Sequence, residues 1–193
     1  MSAVDDPFAR FAAWLADAER SEPNNPSAMS LASVDPDGRP SLRMVLLRGC
    51  DRGFVFYTNL ESRKGHELAA NPYAALCFHW KSLGRQVRIE GRIEQVEAAE
   101  ADAYFASRPR EAQIGAWASA QSQSLESTAL LEQRVADFTA QFGEKPVPRP
   151  PFWSGYRLVP AQFEFWEERP FRLHDRTLFK RKDTQWTVSK LYP

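Results

Sequence analysis

The sequence predicts a mainly β domain of the α+β class, in which antiparallel strands form a closed or split barrel with flanking helices. About seven segments have the composition of strands, and most follow one another through short turns, which favours antiparallel pairing. A parallel βαβ fold is less favoured, because helices and strands do not alternate throughout and no G-x-G-x-x-G motif follows a predicted strand. The 193 residues are predicted to form one domain, with residues 1–27 as an N-terminal helix and loop and residues 146–193 as C-terminal strands that complete the site.

The predicted strands combine β-branched and aromatic residues with turn residues at their ends. They comprise residues 28–34, 43–48, 54–61, 73–80, 85–96, 155–167 and 172–182, with residues 185–191 as a further candidate. The D-P-D-G sequence at residues 35–38 predicts a turn that makes the first two strands a hairpin. Residues 49–53 are predicted to form the turn of a second hairpin, which pairs the second strand with the third.

Four segments show the periodicity or the end signals of helices. They are residues 6–20, 62–70, 97–105 and 125–142. Ser62 is the predicted N-cap of the second helix. Residues 113–124 are small and polar and are predicted to form a loop, and the prolines between residues 146 and 151 predict a stiff spacer.

The composition argues against several classes of function. Lys plus Arg and Asp plus Glu number 25 each, so a broad basic surface for nucleic acid is absent. No run of about 18 apolar residues predicts a membrane span, and the acidic N-terminus lacks a signal-peptide pattern. Cys50 and Cys77 are isolated, which favours reduced thiols, and the three histidines form no metal-binding motif. We therefore expect a cytoplasmic protein with no metal site, no nucleic-acid partner and no membrane attachment.

Arg63 and Lys64 follow the predicted N-cap, so they lie in the first turn of a helix. Positive charges there oppose the helix macrodipole, at a cost of roughly 0.3–1 kcal/mol each. If an anion binds at this helix end, the two cations and the free amide N–H groups form a phosphate site. The alternative is a pair of solvated surface charges, and these two residues alone do not decide between the two interpretations.

A second group of potential cations lies in the R-L-H-D-R sequence at residues 172–176. In a strand, Arg172, His174 and Arg176 share one face, and such a row favours an anion against it. Trp166, in the aromatic run just before, adds a planar apolar surface that suits a planar anionic ligand. The alternative is a basic strand edge that prevents aggregation.

Tyr104 and Arg108 are four residues apart near the end of one predicted helix, so they share a side and can hold one phosphate together. Arg108 can equally complement the helix dipole. Gln121 and Ser122, in the predicted loop, can donate hydrogen bonds to a phosphate or a ring. No Ser/His/Asp order, paired-carboxylate motif or P-loop stands out, so a cofactor is expected to carry the chemistry.

Eight separated motifs resemble, in their order along the chain, those of the pyridoxamine 5′-phosphate oxidase family. They are R-M-V-L-L-R, F-V-F-Y-T-N, S-R-K-G, R-Q-V-R-I-E-G, Y-F-A-S-R-P-R, Q-I-G-A-W-A-S-A-Q-S, F-E-F-W and R-L-H-D-R. The resemblance spans about residues 6–193. It implies a split-barrel homodimer of the FMN-binding type, with two active sites at the subunit interface. It also implies oxidation of pyridoxine or pyridoxamine 5′-phosphate to pyridoxal 5′-phosphate, with O₂ reduced to H₂O₂.

The resemblance further implies roles for individual residues. The flavin site falls on Arg43, Met44, Val45, Leu46, Leu47, Arg48, Tyr57, Thr58, Arg63, Lys64, Gln86, Gln121, Ser122, Trp166 and Arg176. The substrate site falls on Arg48, Tyr104, Arg108, Arg172, Leu173 and His174. Within it, Arg172 and His174 are expected beside the reacting carbon as catalytic residues. Hydride transfer from the C4′ carbon of the substrate to flavin N5 is the expected chemistry.

Several features depart from the family's usual pattern. Arg48 stands where Lys is usual, so the charge is kept and the shape changes. Ala112 stands where Ser is frequent, and Glu167-Glu168-Arg169 replaces a frequent Q-G-G. The N-terminus is expected to be too short for the substrate-covering segment of some relatives. Strict alternation places Arg43 and Arg48 on opposite faces of a strand, so a bulge or backbone contacts to the flavin are expected there.

Two other functions remain open at this stage. One is a related FMN oxidase that acts on another aromatic substrate, as in phenazine-type pathways, although the Tyr104 and Arg108 pair argues against it. The other is a non-catalytic flavin-binding protein.

Overall fold

The computed structural model describes residues 6–193; residues 1–5, which the domain prediction includes, lie outside the described part. Within that part the helices are Pro7–Ser21 (α1), Arg63–Ala70 (α2), Ala98–Ser107 (α3), Arg110–Ala118 (α4) and Thr128–Phe142 (α5). The strands are Ala28–Val34 (β1), Pro40–Leu46 (β2), Gly49–Cys50 (β3), Phe54–Asn59 (β4), Tyr73–Trp80 (β5), Arg85–Gln95 (β6), Trp153–Glu167 (β7), Asp175–Lys182 (β8) and Gln185–Lys190 (β9). Each of their pairings is antiparallel, which confirms the predicted mainly β, antiparallel class.

The sheet closes on itself at Leu47 and Arg48. The strand order is β2-β1-β5-β6-β7-β4-β3, and β8 and β9 extend from β7. Only Leu47 and Arg48 separate β2 from β3, although these strands are at opposite ends of that order. The Leu47 amide donates to the Ser27 carbonyl oxygen (2.9 Å), beside β1, and the Arg48 amide donates to the Val55 carbonyl oxygen (2.8 Å) in β4. The two edges therefore lie side by side, and the sheet curls into a split barrel.

The predicted second hairpin is wrong, because β2 pairs with β1 and only the two-residue β3 pairs with β4. The strand that was predicted to continue to Arg48 ends at Leu46. The alternation of side chains therefore does not extend from Arg43 to Arg48, and the strand break redirects the chain between them. A bulge inside one continuous strand is not needed to explain their different directions.

Part of the predicted loop at residues 113–124 is helical. Helix α4 runs to Ala118, and its buried residues are Gln113, Ile114 and Ala118. Ile114 and Ala118 are four residues apart, which is the spacing of one helix face. The small and polar composition of the segment hid this period. The loop itself begins after α4, and it contains Gln121 and Ser122.

The start of the strand predicted at residues 172–182 is also wrong. Residues 170–172 form a 3₁₀ turn in which Phe171 and Arg172 have φ values of 59° and 62°. Because β-strands need negative φ, the strand begins only at Asp175. Arg172 therefore does not share a strand face with His174 and Arg176.

Aromatic side chains fill the barrel. The Phe11 ring of α1 lies 4.8 Å from the Phe54 ring and 5.0 Å from the Phe78 ring, and all three residues are fully buried. A second apolar cluster joins Phe105, Ile114, Val147 and Trp153, and it holds α3 and α4 against β7. Among residues 6–193, none of the helices combines the length and the apolar character that crossing a membrane requires.

Candidate active site

A cavity of about 490 Å³ opens between β2, β4, α2, α3, α4 and the loop after α4. Its walls are Met44, Val45, Leu46, Arg48, Tyr57, Thr58, Asn59, Lys64, Tyr104, Arg108, Ala112, Gly115, Ala116, Ser119, Gln121 and Trp153. Three of these side chains are cations, and none of the described lining residues is a carboxylate. A cavity with this charge favours an anionic ligand.

Lys64 forms one corner of this main cavity. Ser62 caps α2 by accepting a hydrogen bond from the Gly65 amide, so the first turn of the helix begins where the sequence predicts. Lys64 Nζ donates to Thr58 Oγ1 (3.0 Å) and to Gln121 Oε1 (2.8 Å), which ties the loop after α4 to β4 and α2. Burial, together with the nearby Arg43, lowers the pKa of Lys64 to about 8, while Glu67 opposes the shift.

Aromatic rings form the wall of the main cavity at α3. The Tyr57 ring stacks on the Tyr104 ring at 3.9 Å and on the Trp153 ring at 5.4 Å. Gly155 pairs with Tyr57 across β4 and β7, and a Cβ there would lie 2.8 Å from the Tyr57 ring. Glycine at this position therefore lets the stack form. Burial, with Glu100 nearby, raises the pKa of Tyr57 to about 12, so its hydroxyl stays neutral.

Arg108 lies at the end of this aromatic wall, just after α3. Its guanidinium carbon is 4.8 Å from the centre of the Trp153 ring, a cation–π contact. Its Nη1 is buried and has no hydrogen-bond partner among residues 6–193. Burial lowers the pKa of Arg108, and the positive charge of Arg48 lowers it as well. Two neighbouring cations, one with an unpaired buried donor, favour binding of an anion such as a phosphate.

Arg63 and Ser122 line a second cavity of about 430 Å³, on the other side of the loop after α4. Arg63 Nε donates to Glu67 Oε1 (2.8 Å), one helix turn further along α2. The Arg43 guanidinium also contacts Glu67, at 3.0 Å, so its side chain points away from the main cavity. The two arginines are therefore joined through one carboxylate.

A separate cluster lies at the far end of β7. Gln86, Trp166 and Arg176 are neighbours across β6, β7 and β8, on the face opposite the buried Phe165. The His174 ring lies 4.6 Å from the Trp166 ring. Its Nδ1 accepts a hydrogen bond from the Arg169 amide (3.3 Å), so in the neutral ring the proton is on Nε2.

Arg176 in this cluster is held by a buried carboxylate. Its Nε donates to Glu164 Oε1 (2.7 Å), and Arg88 donates to Glu164 Oε2 (3.1 Å). Arg172 and Leu173 lie beside the cluster on the exposed turn before β8. Arg172 has a left-handed backbone conformation, with φ of 62°. Such a conformation is strained at a residue other than glycine, and such strain occurs preferentially at functional sites.

The structure brings ten of the residues with predicted roles together around the main cavity. They are Met44, Val45, Leu46, Arg48, Tyr57, Thr58, Lys64, Tyr104, Arg108 and Gln121. Leu47 is a core residue. The cluster around Trp166 is not joined to the main cavity within one chain: Thr58 pairs with Ser154, and Trp166 lies twelve residues further along the same strand.

Sequence reasoning missed Trp153, Asn59 and Ser119 in the wall of the main cavity and Glu67 behind it. Trp153 directly follows the proline spacer, and no local pattern distinguishes it from a core residue. The spacing of Arg63 and Glu67 by four residues on a helix was the one available signal for an ion pair.

Comparison with known proteins identifies relatives over the whole chain. A family model described as pyridoxamine 5′-phosphate oxidase matches residues 15–142. A second, described as the pyridoxine 5′-phosphate oxidase C-terminal dimerisation region, matches residues 153–193. The second match includes Trp166, His174 and Arg176.

Two relatives illustrate the similarity in sequence. The chain is 63% identical over 195 residues to the pyridoxine/pyridoxamine 5′-phosphate oxidase of Azorhizobium caulinodans, which covers 100% of this chain and 92% of that protein. It is 59% identical over 201 residues to the protein of the same name from Rhodospirillum rubrum, which covers 100% of both chains.

Two solved structures share the fold. PhzG from Burkholderia lata, in complex with tetrahydrophenazine-1-carboxylic acid, superposes with a TM-score of 0.91 at 33% identity, over 98% of this chain and 93% of that one. A pyridoxamine 5′-phosphate oxidase-related, FMN binding protein from Nostoc punctiforme has a TM-score of 0.79 at 20% identity, over 97% and 98% of the chains. The second likeness concerns the fold alone.

Proposed function

The chain belongs to the pyridoxamine 5′-phosphate oxidase family, and we propose that it oxidises pyridoxamine and pyridoxine 5′-phosphate to pyridoxal 5′-phosphate. FMN is its cofactor, and O₂ is the expected final oxidant. Curated relatives at 60–63% identity, which align with 97–100% of this chain, are named pyridoxine/pyridoxamine 5′-phosphate oxidase. The phenazine-type relative is more distant, at 33% identity.

The observation that carries the proposal is the charge of the main cavity. Arg48, Lys64 and Arg108 surround it without a carboxylate in the described lining, and Arg108 Nη1 lacks a partner there. FMN and the proposed substrates each combine a phosphate with an aromatic ring. The residues present therefore fit two phosphorylated ring compounds, because cations lie at two separate corners with aromatic side chains between them.

The two corners suggest a division of roles. Lys64 and the amide groups at the start of α2 would hold the FMN phosphate, with Thr58 and Gln121 orienting Lys64. Arg63, which precedes Lys64 in the same helical turn, would reach the phosphate from the second cavity. At the other corner, Arg48, Tyr104 and Arg108 would hold the substrate phosphate. Arg108 is already desolvated beside Trp153, so a charge-assisted hydrogen bond to a phosphate oxygen is strengthened there.

A homodimer with two active sites at its interface would explain why the cluster around Trp166 lies apart from the main cavity of its own chain. Gln86, Trp166, His174 and Arg176 lie on the outer face of the sheet, remote from the main cavity of their own chain. The match to a dimerisation region at residues 153–193 supports pairing of two chains. We propose that the cluster of one chain completes the main cavity of its partner, so that the site contains Arg172 and His174 beside the substrate.

Bound FMN would supply the redox chemistry: it would take a hydride, which carries two electrons, from C4′ of the substrate. O₂ would then take up these electrons and become H₂O₂. The chain would supply binding and orientation. Arg172 and His174 would orient the C4′ substituent, and His174 could exchange a proton through the ring nitrogen that the Arg169 amide does not occupy. Holding both rings in register would provide much of the acceleration, on the order of several kcal/mol.

The departures from the family pattern have identifiable positions. Arg48 lines the main cavity, so the cation is retained where Lys is usual, in a planar shape that favours bidentate contacts. Ala112 also lines it and offers no hydroxyl group. Glu167 contacts Arg85 and Arg169, which stabilises the region just before the strained turn. We expect these changes to alter substrate affinity and not the type of reaction.

The deciding experiment is turnover of the purified, FMN-loaded protein with pyridoxamine 5′-phosphate and, separately, with pyridoxine 5′-phosphate. Formation of pyridoxal 5′-phosphate with one H₂O₂ for each aldehyde is expected from both substrates, and the amine substrate should also consume one water and release one ammonia. A protein that retains flavin but forms no aldehyde would instead be a flavin-binding protein or an oxidase of another aromatic compound. Turnover of a phenazine precursor alone would identify the latter.

We also propose a cytoplasmic location. Its support is that Cys50 and Cys77 are free thiols. Reducing compartments keep such thiols free, whereas secreted proteins commonly pair them. Fractionation of cells that express the full chain would test this.

A further inference from the structure

Glu67 is a buried carboxylate to which the proposed mechanism assigns no task. It lies on α2, and only 4% of its side chain is exposed. Its Oε2 accepts hydrogen bonds from Ser33 Oγ and Ser41 Oγ, both at 2.5 Å, and from Arg43 Nη2 at 3.0 Å. Its Oε1 accepts one from Arg63 Nε at 2.8 Å. The hydrogen bonds of this carboxylate therefore connect strands β1 and β2 of the barrel to the first turn of α2.

Arg43 forms a fixed frame on the barrel side. Its Nη1 donates to the Leu31 carbonyl oxygen (3.0 Å) and to Ser33 Oγ (2.5 Å), and its Nη2 also donates to Ser41 Oγ. These contacts occupy both terminal nitrogens of its guanidinium. Arg43 is thus a rigid part of β1 and β2 and can anchor Glu67 against the helix.

Arg63 is more exposed than Arg43, because 62% of its side chain is accessible to solvent and only 19% of that of Arg43. An exposed arginine samples many rotamers, and ordering it on a ligand costs conformational entropy. Its Nε contact with the buried Glu67 removes part of that freedom before a ligand arrives. Glu67 binds only Nε, and the two terminal nitrogens of Arg63 have no hydrogen-bond partner among residues 6–193.

The charges of the cluster also fit a phosphate. Arg43, Arg63 and Lys64 together with Glu67 give a net formal charge of about +2, and a phosphate monoester carries about −1.5 to −2 at pH 7. The carboxylate therefore offsets part of the positive charge of the cluster while it orients one of the cations.

We propose that Glu67 is a positioning residue for the flavin phosphate, which it recognises indirectly by holding Arg63 in place against the frame of Arg43, Ser33 and Ser41. This inference rests on the proposed function, because it concerns the position proposed for the FMN phosphate, at Lys64, Arg63 and the start of α2; we call this position the phosphate corner. Glu67 itself does not contact the ligand.

The test compares FMN with riboflavin, which has the same ring and no phosphate. Dissociation constants of both are measured by quenching of flavin fluorescence for the wild type and for Glu67→Gln. The positioning role predicts that Glu67→Gln reduces the preference for FMN over riboflavin by about tenfold or more, the value of one hydrogen bond to a charged group. Riboflavin binding should change little.

The sign of the effect separates positioning from simple charge. Removing a negative charge makes the corner more positive, which alone would tighten FMN binding. Weaker FMN binding by Glu67→Gln therefore supports positioning, whereas unchanged or tighter binding overturns it. Glu132→Gln is the control for the loss of one negative charge: Glu132 is exposed on α5, has no ion pair among the described residues and lines neither cavity, so its neutralisation should leave the preference within about twofold.

A double-mutant cycle tests whether Glu67 acts through Arg63. In an Arg63→Met background, adding Glu67→Gln should change the preference by less than about twofold, because the positioned side chain is gone. An equal loss in both backgrounds overturns the inference. Should Glu67→Gln fail to fold, Glu67→Asp keeps the charge while withdrawing it by one methylene, and the same loss of preference is expected.

The comparison also separates this inference from the proposed function. Equal affinity of the wild type for FMN and riboflavin would contradict the phosphate corner itself. A strong preference of the wild type for FMN that Glu67→Gln and Glu67→Asp both retain would contradict only the role of Glu67.

Discussion

Arg108 owes its expected role to its immediate surroundings. Its guanidinium lies over the Trp153 ring, and its Nη1 is buried without a partner in the described part of the chain. A buried donor that is left unpaired costs roughly 1–3 kcal/mol, and more when it is charged. A ligand oxygen that accepts a hydrogen bond from Nη1 would recover this free energy. The surroundings of Arg108 therefore favour binding of an anion.

We expect Arg108→Gln to reduce kcat/KM for pyridoxine 5′-phosphate by about 10- to 100-fold, because a hydrogen bond to a charged group contributes about 1.5–3 kcal/mol. FMN affinity should stay within about twofold of the wild type. Steady-state kinetics with fluorescence titration of FMN measures both. Arg39→Gln is the control, since Arg39 is 77% exposed and far from the cavity lining. Equal losses of FMN and substrate binding would contradict the assigned role.

Lys64 is a titratable group of the proposed flavin-phosphate site whose charge changes near pH 8. Burial lowers its pKa to about 8 in the free protein. A bound phosphate dianion would raise that pKa, because the opposite charge stabilises the ammonium form. Binding therefore takes up a proton when the pH lies between the pKa of the free protein and that of the complex.

We expect the affinity for FMN to be nearly constant from pH 7 to 8 and to fall by up to about tenfold per pH unit above pH 8. Isothermal titration across this range measures the change, and riboflavin should show no such trend. In Lys64→Arg the decline should disappear, because arginine stays protonated. A decline that persists unchanged in Lys64→Arg would assign it to another group.

At the scale of elements, the start of α2 depends on close contact with the chain before it. A Cβ at Gly65 would lie 2.0 Å from the Leu60 carbonyl oxygen. That atom belongs to the backbone, so it cannot move away as a side-chain end can. The absence of a side chain at Gly65 thus permits the turn that carries Arg63 and Lys64 to pack where it does.

We expect Gly65→Ala to lower the free energy of unfolding by about 1–3 kcal/mol and to weaken FMN binding with it, because the first turn of α2 must shift. Gly115→Ala is a matched control within α4, where a Cβ would meet no atom within 4 Å. That change should raise stability by up to about 1 kcal/mol, through helix propensity. Denaturant unfolding measures both variants, and equal effects would show that the contact at Leu60 is unimportant.

At the scale of the whole molecule, the distribution of the two clusters fits the proposed homodimer, in which each site would use residues of both chains. The main cavity contains Lys64 and Arg108, whereas Arg172 and His174 lie beyond the far end of β7. A strand advances about 3.3 Å per residue, so a separation of twelve residues along β7 is large compared with a flavin ring. One chain alone does not bring these groups together.

We expect two strongly impaired variants to complement each other. Arg108→Gln and Arg172→Gln are co-expressed with different affinity tags, and the mixed dimer is purified. One of its two sites then contains both defects and the other contains neither, so about half of the wild-type activity per dimer should return. Mixed dimers of two tagged Arg108→Gln chains serve as the control. If each site lay within one chain, the mixed dimer would remain as inactive as its parents.

The resemblance to one family supplied the residues expected at the main cavity, whereas the sequence by itself determined the class of fold and most of the element positions. Local physics accounts for this. Strand periodicity, the Ser62 cap and the turn at residues 35–38 act over a few residues, and the structure reproduces them. The match of eight motifs to one family added the FMN cofactor and the oxidase activity.

Only the tertiary structure decided how distant segments meet. Leu47 and Arg48 cross from one sheet edge to the other, where the sequence had predicted a hairpin. This crossing explains why Arg43 contacts Glu67 while Arg48 lines the main cavity. The left-handed turn at Phe171 and Arg172 and the burial of Glu67 between two arginines likewise had no clear local signal. Barrel closure and long-range ion pairs depend on contacts between residues far apart in the chain, and periodicity over a few residues carries no information about them.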